Sequence, residues 1–283
     1  LVCLLVRAGD AGVAEFVDTL FRARVLQLTL TSVALTLAVP GACLVIGVAV
    51  AIALNRIHLP GGRAWVLAAA LPLAVPSYLA ASGWLVLAPA FSGFFASWLV
   101  MSAVCVPYVV LPVAAVLRNT SGDLEAVARS LGRGAFGAFR AATWPRVRAA
   151  ALAGALLVAL YTLSDFGAVS MLRFQTLTWG IKSAYGASFD RHQAAILALV
   201  LVALALTVVV AERRTRKPTA SAAGRKMPAR KARARWLSLV LALVLLSPIS
   251  AVGVPMSGLI MQLAQAETIR GIDGPRLLEA IGM

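Results

Sequence analysis

Residues 123–145 read DLEAVARSLGRGAFGAFRAATWP, a polar and arginine-bearing segment that separates two strongly apolar stretches of the chain. Apolar side chains recur in it at the spacing of one helical face, at Leu124, Val127, Ala128 and Leu131. We therefore expect a short amphipathic helix that ends at Gly132, because glycine adopts the left-handed conformation of a helix C-terminus at little cost. A second short helix is predicted through Phe136 and Phe139, with a stop at Pro145. Two exposed short helices of this kind are typical of a surface that binds a partner protein.

The composition places this segment in a polytopic membrane protein. The chain has 283 residues, of which 61% are hydrophobic and 13% charged, and its mean hydropathy is +0.90. Soluble domains typically carry about 25% charged residues. A run of about 20 apolar residues can cross a bilayer, and we expect such spans near 25–54, 65–90, 96–117, 149–163 with its continuation, 193–211 and 236–255. Residues 1–6 look like the end of a further span.

The net charge of +15 lies almost entirely on one side of these spans. Loops 55–64, 118–148 and 212–235 together carry eighteen Lys and Arg against three acids, whereas the rest of the chain carries eight of each. This is the positive-inside pattern, so these loops should face the cytoplasm. The basic run 213–235 is interpreted as a cytosolic linker close to anionic membrane lipid. An excess confined to one membrane face argues against nucleic-acid binding.

The spacing of an EAA-like start, a glycine and a later proline in 123–145 resembles the signature loop of the inner-membrane permeases of binding-protein-dependent ABC importers. The resemblance implies an all-α, polytopic transmembrane bundle of the type I importer permease kind. It also implies that the loop is a coupling helix that docks on a cytoplasmic ABC ATPase dimer. The coupling role falls on Asp123, Glu125, Ala128, Gly132, Phe136, Phe139 and Pro145. This chain departs from the family pattern at Trp144, where the family usually has leucine, and at Glu125, one place early.

The segment 164–190 between the later spans deepens the resemblance. It contains a DFGA element and a TLTWGIK element, and it resembles the ferric-iron type of these permeases, with thiamine and polyamine relatives close by. The resemblance implies ferric iron as the substrate, with thiamine, polyamine or an inorganic anion as alternatives, and a bacterial inner-membrane location. A substrate-binding protein would dock outside, on 7–24 and 164–190. Asp165 is either a residue of the outer gate or a helix cap.

Three regions are predicted along the chain. Residues 1–215 should form a first permease domain that lacks its N-terminal beginning. Residues 216–235 are the basic cytoplasmic linker. Residues 236–283 should be the start of a second, homologous half of a fused permease, with one span and the outer segment that follows it.

Several chemistries find no support in the sequence. There is no glycine-rich phosphate loop, so ATP hydrolysis is expected in a separate subunit and the chain is not expected to be an enzyme. His58 and His192 stand alone, and Cys3, Cys43 and Cys105 lie in apolar segments, which predicts neither a metal site nor a cofactor. The predicted spans carry no Asp, Glu, Lys or Arg, which disfavours the remaining alternative of an ion-coupled secondary transporter.

Overall fold

The structure is a computed structural model, and it describes residues 19–57, 59, 62–120, 123–186, 191–215 and 234–269. Within these residues every regular element is a helix, as the predicted all-α class requires. The α-helices are α1 (Ala23–Arg56), α2 (Arg63–Ala70), α3 (Ser77–Leu87), α4 (Gly93–Cys105), α5 (Pro107–Arg118), α6 (Asp123–Ser130), α7 (Ala135–Ala138), α8 (Trp144–Ser164), α9 (Gly167–Met171), α10 (Leu177–Gly186), α11 (Arg191–Thr215), α12 (Ala234–Pro248) and α13 (Val254–Ile269).

Five helical stretches of the described residues are long and apolar enough to cross a membrane. They are Ala23–Arg56, Gly93–Arg118, Ala135–Ser164, His192–Ala211 and Val240–Ala264. Their positions confirm the predicted multi-pass bundle. The first span stays helical through Pro40, because the missing amide hydrogen bond is tolerated where neighbouring helices surround the chain.

The span predicted at 65–90 is broken. The helices Ala64–Ala74 and Ser77–Leu87 meet at an angle of 88°, so the segment is two half-helices and not one straight rod. The first of them ends in a 3-10 turn, Leu71–Ala74, and Val75 after it is extended. Pro72 and Pro76 lack the amide hydrogens that a continuous helix would need, which accounts for the break.

The core of the bundle lies where α1, α5 and α8 pack together, with α4 against α1. Most of its fully buried side chains are small or β-branched, which lets the helix axes approach closely, and they include Val39, Val50, Val100, Val109 and Val158. Cys43 and Cys105 are buried in the same core as free thiols, as apolar packing residues.

The last span, Val240–Ala264, packs onto the earlier helices. The helix continues beyond the predicted span end at residue 255, through a π-helical segment Ile249–Gly253 into α13. A Cβ placed on Gly83 of α3 would lie 2.3 Å from the Cα of Pro255, so the two backbones are in contact. Trp84 Nε1 donates to the Ser250 carbonyl at 2.8 Å and Ser247 Oγ donates to the Ala103 carbonyl at 2.7 Å.

Candidate functional site

The amphipathic helix predicted in the signature loop is present as α6. It ends in a Schellman motif: the amide of Arg133 donates to the Ala128 carbonyl at 3.2 Å and the amide of Gly132 to the Arg129 carbonyl at 3.0 Å. Gly132 has φ +81°, the left-handed conformation that the sequence predicted for it. The helix boundary is therefore encoded by the glycine.

The apolar face of α6 points away from the protein. Leu124 and Val127 are about half exposed, and Leu131 is 77% exposed. Phe136 at the next helix, α7, is 75% exposed. We call these four side chains the docking face. Exposed large apolar side chains that lie together are typical of surfaces that contact another protein or a membrane.

The docking face borders a groove of ≈ 520 Å³. Leu124, Val127 and Leu131 of the docking face line it, together with Ala128, Ala142, Pro145, Arg133 and Arg146. Of the sequence-predicted residues, Ala128 and Pro145 therefore contribute to the same surface as the docking face. The side chain of Asp123 lies outside the described residues, although α6 begins at that position.

Pro145 does not end a helix, contrary to the sequence prediction. The chain passes from α7 through a π-helical turn, Phe139–Thr143, directly into α8, and Pro145 lies in the first turn of that helix. Proline is well accommodated there, because the amide hydrogen that it lacks would have no partner in a first turn. The second half of the signature loop and the span that follows it are thus one continuous helical unit, Ala135–Ser164.

Glu125 faces inward, on the side of α6 opposite the docking face. Its side chain is 1% exposed. Arg56, the last residue of α1, donates Nη1 to Oε1 at 3.0 Å and Nη2 to Oε2 at 2.6 Å, a bidentate pair. Arg129 Nη2 donates to Oε1 at 3.0 Å, and Thr143 Oγ1 donates to Oε2 at 3.0 Å. We call Glu125 with Arg56, Arg129 and Thr143 the clamp.

The clamp holds Glu125 in its ionised form. Burial by itself would raise the pKa of the carboxyl, but the hydrogen bonds and positive charge of Arg56, the hydroxyl of Thr143 and the charge of Arg129 outweigh it, so the pKa is lowered. Charge-assisted and bidentate hydrogen bonds of this kind are among the strongest in proteins. The clamp joins α6 to the end of α1 and to the π-helical turn before α8.

Phe139 also belongs to the clamp side of the loop. The Arg56 guanidinium lies 5.0 Å from the centre of its ring, a cation–π contact, and its ring packs 6.4 Å from that of Trp144. The structure thus divides the sequence-predicted residues. Phe136, Ala128 and Pro145 lie on the side of the docking face and its groove, whereas Glu125 and Phe139 hold the loop to the spans.

Sequence reasoning missed Arg56 and Thr143. The sequence does not single out Arg56, because the positive-inside pattern already predicts a basic residue at the cytoplasmic end of a span. Its contact with Glu125 joins residues 69 positions apart. The contact also places loops 55–64 and 118–148 at the same end of the bundle, which agrees with their predicted assignment to one membrane face.

At the other end of the bundle, Asp165 is placed between α8 and α9. Its Oδ1 accepts the amide of Ala168 at 2.9 Å, and its Oδ2 accepts a hydrogen bond from Ser77, the first residue of α3. Asp165 therefore caps α9 and ties it to the break in the second span. Of the two roles predicted for it, the cap is the one whose geometry is present.

The DFGA and TLTWGIK elements pack against each other. Thr178 Oγ1 donates to the Asp165 carbonyl at 2.9 Å and pairs with Thr176 at 2.8 Å. The Lys182 ammonium lies 4.4 Å from the centre of the Phe166 ring. In these contacts each element supplies a partner for the other. Within the described residues, no group of three or more His, Cys, Asp or Glu side chains could hold a metal ion.

Comparison with known proteins gives two informative relatives, and no family model matches the chain. The Fe(3+)-transport system permease protein FbpB 2 of Haemophilus influenzae is 32% identical over 209 residues, 74% of this chain and 41% of that protein. The chloroplastic sulfate permease 2 of Chlamydomonas reinhardtii is 35% identical over 109 residues, 36% of this chain and 29% of that protein. The chain spans about two fifths of the length of the first relative.

Proposed function

We propose that this chain, a multi-pass inner-membrane permease of the ABC-transporter family, is part of the translocation subunit of an ATP-driven importer. The observation that carries the proposal is the two-sided coupling loop. One side is an exposed apolar docking face, and the other is fixed to two spans by a buried, ionised clamp. A loop that only rested on the membrane surface would not need such a clamp.

The partner at the docking face is a cytoplasmic ATPase dimer. Leu131 and Phe136 would enter apolar pockets of the partner, and the two arginines that line the groove, Arg133 and Arg146, favour a partner that presents carboxylates around those pockets. Burial of each large side chain contributes about 1.5–3 kcal/mol before the costs of association are subtracted. ATP binding and hydrolysis take place in the ATPase, and the movement of the ATPase subunits is transmitted to α6.

The clamp passes that movement to the spans. Because Glu125 contacts both the end of α1 and the π-helical turn before α8, a displacement of α6 pulls on two spans at once. From Phe136 onward the route is helical, since α7, the π-helical turn and α8 follow one another without a break, and α6 joins this unit through residues 131–134. The spans would then alternate between outward-open and inward-open arrangements.

The substrate we propose is ferric iron. The support is the iron-transport permease that matches 74% of the chain, together with the DFGA and TLTWGIK elements. A sulfate permease also matches, over 36% of the chain, so an inorganic anion is the second candidate, with thiamine or polyamine after it. A separate substrate-binding protein would deliver the substrate to the outer segment around α9 and α10.

The experiment is reconstitution of the full-length permease with its ATPase in liposomes. ATP hydrolysis should rise when iron-loaded binding protein is added, and iron should accumulate inside. A ferric chelate without the binding protein should produce little stimulation. Stimulation by sulfate-, thiamine- or polyamine-loaded protein instead would retain the importer and reject iron. Uptake that needs an ion gradient and no nucleotide would reject the importer.

A further inference from the structure

Two exposed cations at the outer end of the bundle are held by aromatic rings. The Arg24 guanidinium lies 5.5 Å from the centre of the Trp179 ring, and the Lys182 ammonium lies 4.4 Å from that of Phe166. Both cations are exposed, and neither forms an ion pair within the part of the chain that the structure describes. A ring face attracts a cation but carries no net charge, so the two positive charges are not neutralised.

Arg173 is a third exposed cation, and its backbone is strained. It has φ +54°, although α9 ends there in a Schellman motif whose left-handed position usually holds glycine. The amide of Phe174 donates to the Val169 carbonyl at 2.9 Å, and the amide of Arg173 donates to the Ser170 carbonyl at 3.2 Å. The same motif ends α6, where the left-handed residue is Gly132. At the end of α9 the chain carries a guanidinium in a conformation that a Cβ makes costly.

The turn that carries Arg173 is fixed to the bundle on both sides. The Leu172 carbonyl accepts the amide of Gly93 at 2.7 Å, and the ring of Phe174 packs edge-on against that of Phe94, with 5.6 Å between the centres. The Arg173 side chain nevertheless projects into solvent, with no hydrogen bond to any described residue. Strained residues persist where the surrounding structure holds them, and they cluster at sites that bind a ligand or a partner.

The three cations belong to neighbouring parts of one surface. Phe166, which contacts Lys182, immediately precedes α9, and Arg173 ends that helix, which has five residues and is about 7–8 Å long. Trp179, which contacts Arg24, lies three positions before Lys182 on α10, so the two are one helical turn apart.

This surface has no unoccupied carboxylate among the side chains that the structure describes. The acidic side chain at this end is that of Asp165, whose oxygens accept the Ala168 amide and the Ser77 hydroxyl. Three cations beside one carboxylate that is already hydrogen-bonded leave an excess of positive charge. Such a surface is complementary to a partner that presents acidic side chains.

We propose that Arg24, Arg173 and Lys182 form a cationic surface that binds carboxylates of the substrate-binding protein. The inference rests on the function proposed above and names the chemistry by which the binding protein is recognised. Charges at the rim of an interface raise the association rate and fix the orientation of docking. Lipid phosphates attract cations on flexible side chains and require no fixed geometry. Two cations fixed over rings and a third on a strained, anchored turn favour a folded protein as the partner.

The test is a titration of the full-length permease and its ATPase, in lipid nanodiscs, with iron-loaded binding protein, or with sulfate-loaded protein if that one stimulates the wild type. Arg173→Gly and Lys182→Gln should each raise the concentration that gives half-maximal ATP hydrolysis roughly two- to fivefold at low ionic strength. The maximal rate should stay unchanged, and the half-maximal concentration should depend less on salt. Arg118→Gln, which removes an exposed arginine at the cytoplasmic end of α5, is the matched control and should leave that concentration unchanged.

Glycine at position 173 separates docking from folding. Because Arg173→Gly relieves the left-handed strain, the amides between α9 and α10 should exchange with deuterium no faster than in the wild type. Weaker docking with an intact turn assigns the guanidinium to the partner. Faster exchange in this turn would make Arg173 a structural residue and overturn its place in the surface.

The remaining outcomes separate the surface from the importer and from lipid. Unchanged half-maximal concentrations in both variants, with a wild type that is stimulated, would overturn the surface and retain the importer. A wild type that no loaded binding protein stimulates would overturn both. Variants whose ATP hydrolysis falls equally at every concentration of binding protein, and only in nanodiscs that contain phosphatidylglycerol, would assign the cations to lipid and overturn the surface.

Discussion

Removing the charge of Glu125 should loosen α6 without unfolding the spans. The change Glu125→Gln keeps the size of the side chain but leaves the guanidiniums of Arg56 and Arg129 without their counter-charge. Loss of one partner of a fully buried pair costs about 3–5 kcal/mol. Arg56 is 25% exposed, and Arg129 is 37% exposed, so water recovers part of this cost. We therefore expect Glu125→Gln to lower the free energy of opening α6 by about 2–3 kcal/mol.

Hydrogen exchange measured by mass spectrometry resolves this quantity at the helix itself. If α6 opens locally, a loss of about 2–3 kcal/mol should speed exchange of its amides about 30- to 150-fold, since each 1.4 kcal/mol is a factor of ten. Peptides from α4 and α5 should keep their protection. Arg140→Gln, which changes an exposed arginine of the π-helical turn, is the control and should leave α6 unchanged.

A double-mutant cycle identifies the partner. Arg56→Gln alone should loosen α6 to a similar degree, and the combination with Glu125→Gln should add little, giving a coupling free energy above about 1 kcal/mol. Strictly additive effects would refute the clamp as a coupled unit. Unchanged α6 exchange in both single variants would refute its role in fixing the loop.

Three further predictions concern the same loop and its orientation. Because the pKa of Glu125 is lowered in the folded protein, the protection of the α6 amides against exchange should be complete above the ordinary carboxyl range, between about pH 5 and 8. The protection should be lost only as the pH falls through the lowered pKa. Glu125→Gln should remove this acid transition. Gly132→Ala should cost roughly 1 kcal/mol of α6 stability and weaken co-purification of the ATPase, because φ at this residue is +81°. The control is Gly134→Ala, which should leave α6 stability unchanged, because φ there is −59° and a Cβ meets no atom within 4 Å at either glycine. In a background without native cysteines, Ala222→Cys should resist an impermeant thiol reagent on intact cells and Gln175→Cys should react; labelling of position 222 from outside would reverse the proposed orientation.

The fold class and the loop could be predicted because both depend on local patterns. Apolar runs of bilayer length and the one-sided excess of Lys and Arg need no tertiary information. The same holds for α6, whose apolar spacing and terminal glycine are local. The left-handed Gly132 was therefore anticipated from the sequence and is present.

What the sequence could not provide is long-range pairing and the geometry of proline breaks. Nothing near Glu125 indicates that its partners are Arg56 and Thr143, since pairing of residues far apart in sequence follows from helix packing. Pro72 and Pro76 disfavour a continuous helix, but a break of 88° depends on what receives the two half-helices. The prediction for Pro145 was wrong for a related reason. A proline is unfavourable inside a helix but favourable in its first turn, so the residue alone does not tell the end of one helix from the start of the next.

The close contact between α3 and α13 has a consequence for how the protein is made. The half-helix α3 is too short to cross a bilayer alone, and at Gly83 its backbone is in direct contact with that of Pro255. At a synthesis rate of about 5–20 residues per second, roughly 10–40 s separate the emergence of α3 from that of α13. During that interval the nascent chain carries an uncovered hairpin in the membrane, a window in which insertion chaperones or membrane proteases would compete for it.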